Sequence, residues 1–171
     1  MIWAYAIIGF IALQRLAEVI YAQRNTGALL ARGATEIGAS HYPVMIALHA
    51  TWLAAIFLAL PKPTSIHWIA LAAMIVLQAA RVWIIATLGP YWTTRIINLP
   101  GAPLVRKGPY RFFRHPNYMI VVGEIAALPL VFGEIWVAAV FSVLNAAMLF
   151  WRIREEDAAL GPRRAMPANE S

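Results

Sequence analysis

The segment "YMIVVGEIAALPLVFGEIWVAAVFSVLNAAMLFW" (residues 118–151) stays apolar for longer than one membrane-spanning helix of about 20 residues requires. Within it, "LPLVFGE" (residues 128–134) carries Pro129 and Gly133, two residues that mark a turn. The segment therefore predicts two short helices, residues 116–131 and 135–151, that form a hairpin in the membrane.

Three other apolar segments precede the hairpin, at residues 2–21, 42–60 and 66–88, and each is about as long as one span. The predicted fold is an all-α integral membrane protein with five transmembrane helices. We expect one membrane-embedded domain over residues 1–171, composed of three N-terminal spans (1–88), a second half (89–160) and a tail (161–171).

The composition agrees with a membrane protein and excludes several kinds of chemistry. The chain is 61% hydrophobic and 13% charged, which is more apolar than a soluble domain. The absence of cysteine excludes disulfides, a cysteine nucleophile and thiolate metal sites. The net charge of +6 comes from basic residues beside the apolar spans, where they contact anionic lipids, so we predict membrane lipids and no nucleic acid as partners. The four histidines lack a paired metal-binding spacing, and no metal site is predicted.

The distribution of basic residues predicts the orientation in the membrane. With the N-terminus outside, eleven of the 14 Lys and Arg residues fall in cytoplasmic loops or the tail, and only Lys62 falls in an outer loop. The other two, Arg15 and Arg81, lie within or at the ends of spans. We therefore expect the active site of any enzyme here to face the cytoplasm.

Ionisable side chains inside spans require a partner or a purpose, because each costs about 2.5 to 3.5 kcal/mol to insert. Arg15 and Glu18 are three residues apart and can pair on one helix face. Arg81 has no acid in its own helix, so its partner is either Glu124 or the acidic cluster near the C-terminus. Glu124 itself could contact substrate, cofactor or Arg81.

Two histidines are also candidates. His49 is interpreted as a hydrogen-bonded interior residue in preference to a ligand, and His41 either as an interfacial anchor or as part of a substrate entrance. As candidate substrate-binding residues we name His41, His49, Arg81, Trp92 and Glu124.

The most polar stretch leads directly into the hairpin, as "RKGPYRFFRHPNYMIVVGE" (residues 106–124). Pro116 suits the first turn of a helix, so His115 and Asn117 flank a helix N-terminus whose free N–H groups attract a carboxylate or phosphate. The alternative is an interfacial belt of aromatic residues with basic anchors. Further on, "WRIREEDAAL" (residues 151–160) puts Arg152 on one helix face with Glu155 and Glu156, either as a functional cluster or as a solvated helix end.

The order of these motifs resembles the isoprenylcysteine carboxyl methyltransferase family and related phospholipid methyltransferases. The paired pattern is "GPYRFFRHPNY" followed about thirty residues later by "RIREEDAAL", and the resemblance covers roughly residues 88–160. The first half, from "RNTGALLARGATEIGASHYPVMIALH" (residues 24–49), resembles a bacterial subgroup associated with methylation of alkylresorcinols and alkylpyrones. The chain departs from many relatives by carrying Ile120 in place of a glycine and by lacking an aromatic segment in its tail.

The resemblance implies an S-adenosylmethionine-dependent methyltransferase of a bacterial cytoplasmic membrane, with S-adenosylhomocysteine as product and a cofactor pocket on the cytoplasmic side of residues 89–160. The acceptor would be a carboxylate or phenol oxygen of a lipophilic, prenylated or lipid substrate reached from the bilayer. Carried over by position, the residues nearest the transferred methyl would be Arg152, Glu155 and Glu156. The cofactor site would be lined by Gly108, Pro109, Tyr110, His115, Pro116, Asn117, Tyr118, Leu128, Pro129 and Leu130.

Three alternatives remain open at the level of sequence. The first is a phospholipid N-methyltransferase. The others are a non-catalytic membrane scaffold and a transporter, although a transporter would place facing polar residues along several spans near the midplane.

Overall fold

Five α-helices make up most of the protein in a computed structural model, which describes residues 2–102 and 105–164. The elements are α1 (Ile2–Leu30), β1 (Thr35–Ile37), α2 (His41–Ala59), α3 (Trp68–Leu88), β2 (Ile96–Asn98), α4 (Pro116–Val131) and α5 (Ile135–Arg164), with short 3-10 helices at Gly89–Tyr91 and Gly108–Arg111. The predicted helical membrane fold is confirmed. The strands β1 and β2, which pair antiparallel, are an addition that the sequence did not predict, because three-residue strands carry no readable alternation.

The helices differ in their ability to cross a bilayer. Among the described residues, α1, α2, α3 and α5 are long and apolar enough to do so. With 16 residues, α4 is about 24 Å long, whereas the hydrocarbon core of a bilayer is about 30 Å thick. The fifth predicted span is therefore shorter than a full crossing.

The predicted break between the last two helices is present. The turn after Val131 contains Gly133 at φ 79°, and a Cβ at that position would lie 3.0 Å from Nε2 of His67. α5 is longer than the predicted span: its 30 residues continue past Trp151 to Arg164 and include the charged segment for which helical spacing was expected. Of the predicted tail, residues 165–171 lie outside the described part of the chain.

α1 also extends beyond its predicted end at Tyr21, and the reason is tertiary. Ala22 is fully buried against Ile84 and Trp92. The Asn25 amide donates to the backbone oxygens of Gly89, at 3.1 Å, and Trp92, at 2.8 Å. These contacts hold the last turns of α1 against the connection that follows α3.

The apolar core lies at the end of the molecule where α4 turns into α5. Side chains of α1, α2, α4 and the turn after α4 meet there, including Ile8, Trp52, Ile56, Leu128, Val131 and Phe132. Nearer the middle, α3 and α4 approach closely because Gly123 has no side chain: a Cβ there would lie 2.8 Å from Cδ2 of Leu77. Small residues at such contacts allow close helix packing in membranes.

A buried charge network joins α1, α3 and α4. Oε1 of Glu124 accepts from Arg15, Gln78 and Arg81, each at 2.8 Å. Arg81 also donates to the second oxygen of Glu124, and Arg15 pairs with Glu18 at 2.7 Å. The structure thus confirms Glu124 as the partner of Arg81, and the two arginines are balanced by two carboxylates within the bundle.

Glu134 lies in the turn between α4 and α5, with its side chain buried and both carboxylate oxygens lacking a partner among the described residues. Burial raises its pKa from the ordinary 4.5 to about 7. Between these values the folded protein holds a proton that the unfolded chain has lost. We therefore expect the free energy of unfolding to fall as pH rises from 4.5 to about 7 and to level off above it.

The measurement is thermal unfolding in detergent over this pH range, for wild type and for Glu134→Gln. Glutamine cannot ionise, so the difference between the two curves isolates this carboxyl from other titrating groups. Parallel curves would show that Glu134 does not cause the pH dependence.

Candidate functional site

A cavity of about 690 Å³ opens at the end of the bundle opposite the apolar core. It lies between the connection that follows α3, the segment before α4, and the C-terminal part of α5. This volume is within the range of small-molecule sites. Its charged lining residues are five arginines and one glutamate: Arg95, Arg106, Arg111, Arg114, Arg152 and Glu156.

Arg152 lies buried in the cavity wall, with 6% of its surface exposed. Its Nε donates to the Tyr118 hydroxyl at 2.8 Å, and its Nη2 donates to the Thr94 carbonyl at 2.8 Å. Its Nη1 faces two atoms of α2, Nε2 of His41 at 3.3 Å and Sδ of Met45 at 3.0 Å. These four contacts leave one Nη2 hydrogen without a partner among the described residues, because a guanidinium has five N–H donors.

Tyr118 connects Arg152 to Glu156. The Tyr118 hydroxyl accepts from Arg152 and donates to Glu156. His115 stacks on the Tyr118 ring, with centroids 5.2 Å apart, and its Nδ1 is 3.5 Å from Oε1 of Glu156. The result is a chain of polar contacts from a cation to a carboxylate along the cavity wall.

The side chains of Glu155 and Glu156, which follow Arg152 on α5, point in different directions. Glu156 lines the cavity, whereas Glu155 lies on an outer groove with Trp151, whose Nε1 is 3.4 Å from Oε1 of Glu155. The expected direct cluster of one guanidinium and two carboxylates is not formed, because Arg152 points across to α2 and Tyr118.

Two buried polar atoms in the cavity lining have neither a hydrogen bond nor an ion pair among the described residues. They are Oδ1 of Asn117, in the first turn of α4, and Nε1 of Trp92. Asn117 is placed there because Pro116 begins α4 directly after His115. Burial, reinforced by Glu156, raises the pKa of the nearby Tyr110, so that its hydroxyl stays neutral. An unpaired acceptor and an unpaired donor are thus available to a ligand.

The structure brings part of the predicted residue set to this cavity. Of the candidates, the lining includes Trp92, Tyr110, His115, Asn117, Tyr118, Arg152 and Glu156. His41 lies directly behind Arg152. Within residues 2–102 and 105–164, no group of three or more histidine, aspartate or glutamate side chains could hold a metal ion.

Other predicted residues lie elsewhere. Leu128, Pro129 and Leu130 are near the far end of α4, about 16 to 20 Å along the helix from Asn117, and they are not in the cavity lining. Arg81 and Glu124 neutralise each other within the bundle, and His49 bonds to the Met45 carbonyl of its own helix. Three more candidates flank the cavity without lining it: Gly108, Pro109 and Pro116.

Sequence reasoning missed the contribution of the β1–β2 region. Arg95 pairs with Glu36 at 2.6 Å and lies over the Tyr42 ring, 4.1 Å from its centroid. Thr94 supplies a backbone carbonyl to Arg152 and a hydroxyl 3.1 Å from that of Tyr42. A backbone acceptor leaves no signal in a sequence. The ion pair of Glu36 in β1 with Arg95, just before β2, could have been found only if the pairing of the two strands had been recognised.

Comparison with known proteins gives three similarities. Residues 68–162 match the family described as "Isoprenylcysteine carboxyl methyltransferase (ICMT) family". The chain is 40% identical over 164 residues to the uncharacterized protein YpbQ of Bacillus subtilis, covering 94% of this chain and 96% of that protein. It is 30% identical over 142 residues to an uncharacterized protein of Haemophilus influenzae, covering 80% and 83% respectively. No solved structure matches.

Proposed function

The chain belongs to the isoprenylcysteine carboxyl methyltransferase family, and we propose that it transfers a methyl group from S-adenosylmethionine to an oxygen of a lipophilic acceptor. The family and the apolar helices make it an integral membrane methyltransferase. Beyond this, we propose the identity of the cofactor, an oxygen atom as the methyl acceptor, and the roles of individual residues.

One observation carries the proposal: Arg152 is a buried cation at the cavity, and all its hydrogen bonds to described residues go to neutral groups. A buried charge is stable only when it is paired, and among the described residues its contact with Glu156 runs through the Tyr118 hydroxyl. The free Nη2 hydrogen would therefore bind an anionic oxygen well. An acceptor carboxylate or phenolate supplies such an oxygen.

The cavity suits S-adenosylmethionine. Its basic lining complements the carboxylate of the methionine part, its aromatic residues can pack on adenine, and the unpaired atoms of Asn117 and Trp92 offer one acceptor and one donor. When bound, the cofactor would supply an electrophilic methyl group on a positively charged sulfur.

The residues of the chain would orient the acceptor and move its proton. Arg152 would hold the acceptor oxygen through Nη2, which orients it and stabilises its negative charge. A carboxylate acceptor is already ionised at neutral pH, whereas a phenol has a pKa of about 10. For a phenol, Glu156 would take the proton, because Glu156 lines the cavity and Glu155 does not. Charge is cancelled during transfer, which a dry site favours.

The phospholipid amine is the less favoured acceptor. Transfer to a neutral amine carries the positive charge from sulfur to nitrogen and does not cancel it, so a dry site favours it less than transfer to an anionic oxygen. We place this basic end of the bundle at the cytoplasmic face, with the N-terminus outside, since Lys62 lies at the other end. Within the family, the resemblance of residues 24–49 favours an alkylresorcinol or alkylpyrone as acceptor.

The proposal predicts saturable binding of S-adenosylhomocysteine to the detergent-purified protein in calorimetric titration. Asn117→Ala should weaken this binding about tenfold, because it removes an unpaired acceptor in the cavity. Asn145→Ala is the matched control: its Oδ1 is also buried without a hydrogen-bond partner among the described residues, but it lies in α5 away from the cavity.

We expect Asn145→Ala to bind the ligand as wild type does. Absence of binding to the folded wild-type protein would refute the proposed function. Equal affinity for Asn117→Ala and wild type would refute the proposed site.

A further inference from the structure

His41 lies outside the family match of residues 68–162, yet it contacts the buried cation of the proposed site. It is 1% exposed, at the first residue of α2, with its ring edge-on to Trp151 at 6.1 Å. The charged groups around it are Arg152 and Glu155 from α5 and Glu36 from β1. Any role of His41 must therefore be consistent with a neighbouring guanidinium.

The contact with Arg152 determines the tautomer of His41. A guanidinium can only donate hydrogen bonds, so Nε2 of His41, 3.3 Å from Nη1, must be the acceptor. The ring is then neutral and carries its hydrogen on Nδ1. This Nε2 cannot serve as a base for the substrate, because its lone pair already faces Arg152.

We propose that His41 is a positioning residue that fixes the guanidinium of Arg152, so that the one free Nη2 hydrogen is directed to the methyl acceptor. His41 and Met45 are one turn apart on α2 and together occupy both hydrogens of Nη1. Tyr118 and Thr94 occupy Nε and one hydrogen of Nη2. Contacts from α2, in the first half of the chain, thus determine which N–H group of Arg152, in the second half, is left to bind the substrate.

This inference rests on the proposed function, and glutamine and asparagine at position 41 test it. Counted along the side chain, the amide oxygen of glutamine is at the position of Nε2 in histidine, and that of asparagine is at the position of Nδ1. Both variants lose the ring and its contact with Trp151 equally. They differ in whether an acceptor reaches Arg152.

The assay is transfer of a labelled methyl group from S-adenosylmethionine to a long-chain alkylresorcinol in mixed micelles. We expect His41→Gln to keep kcat within about threefold of wild type and His41→Asn to lower it about 10- to 100-fold, because the bond to a charged group is lost. KM for the acceptor and the affinity for S-adenosylhomocysteine should change little in both variants. Equal losses in the two variants, or wild-type kcat in His41→Asn, would overturn the proposal.

A second measurement does not depend on turnover. In protein labelled with ¹⁵N in its arginine side chains, a fixed guanidinium gives separate Nη1 and Nη2 signals, and a rotating one gives a merged signal. The signals of Arg152, assigned by their loss in Arg152→Lys, should be separate in wild type and His41→Gln and merged in His41→Asn. Separate signals in His41→Asn would refute the positioning role even if the protein proved to have another activity. Absence of S-adenosylhomocysteine binding would count against the proposed function alone.

Discussion

Replacing Glu124 with glutamine is expected to destabilise the protein by about 3 to 5 kcal/mol, the largest effect on folding that we predict for a single substitution. Glu124 is 3% exposed and receives hydrogen bonds from Arg15 and Arg81, two cations from different helices. Once the charge of Glu124 is removed, Glu18 is the only carboxylate left in this network, among the described residues, to balance both arginines. Unfolding by titration with a denaturing detergent measures the loss.

Two further variants test the physical reason. Arg81→Gln in the Glu124→Gln background removes the surplus positive charge and should recover part of the lost stability. Glu36→Gln breaks the more exposed pair with Arg95 and should cost no more than about 1 kcal/mol. An equal effect of Glu36→Gln and Glu124→Gln would show that burial of the network is not the cause.

Arg152→Lys is expected to lower kcat about 100- to 1,000-fold while S-adenosylhomocysteine binding is retained. Lysine keeps the charge but has no planar fork, so it cannot contact Tyr118, Thr94 and His41 together and still offer a donor to the acceptor. The measurement is methyl transfer to an alkylresorcinol, with calorimetry of cofactor binding in parallel.

Arg154→Lys provides the matched control. It is the same substitution two residues further along α5, where the arginine lies over the exposed ring of Phe150, 5.5 Å from its centroid, on the outer side of the helix. We expect wild-type turnover for it. Wild-type turnover in Arg152→Lys would remove Arg152 from its proposed role.

Much of the fold could be predicted from hydropathy and turn chemistry. The lengths of the apolar segments gave the helices, and Pro129 with Gly133 gave the break between α4 and α5. The end of α1 was missed because tertiary contacts, such as those of Asn25, and not apolar composition keep its last turns helical. α4 has the predicted bounds, but its 16 residues are shorter than a full crossing, which the count of five transmembrane helices did not take into account.

The candidate site was predictable where a motif fixes local geometry. Pro116 starts α4, and one turn of helix then brings His115, Asn117 and Tyr118 to the cavity. The direction of Arg152 was not predictable, because it depends on α2 and on a carbonyl of the segment before β2. The resemblance assigned Leu128 to Leu130 to the cofactor site, because matching residues to a family does not show how far apart two residues lie along a helix.

The charge network also has a consequence for biogenesis. During translation Arg15 is followed within α1 by its partner Glu18. Arg81, in contrast, is synthesised 43 residues before its partner Glu124. At bacterial elongation rates that interval is roughly 2 to 9 s. Glu18 is 3.4 Å from Arg81 in the finished protein, so it can hold Arg81 during the wait. Glu18 would then neutralise Arg81 until α4 has been synthesised and inserted. In this way α1 would assist the membrane insertion of α3.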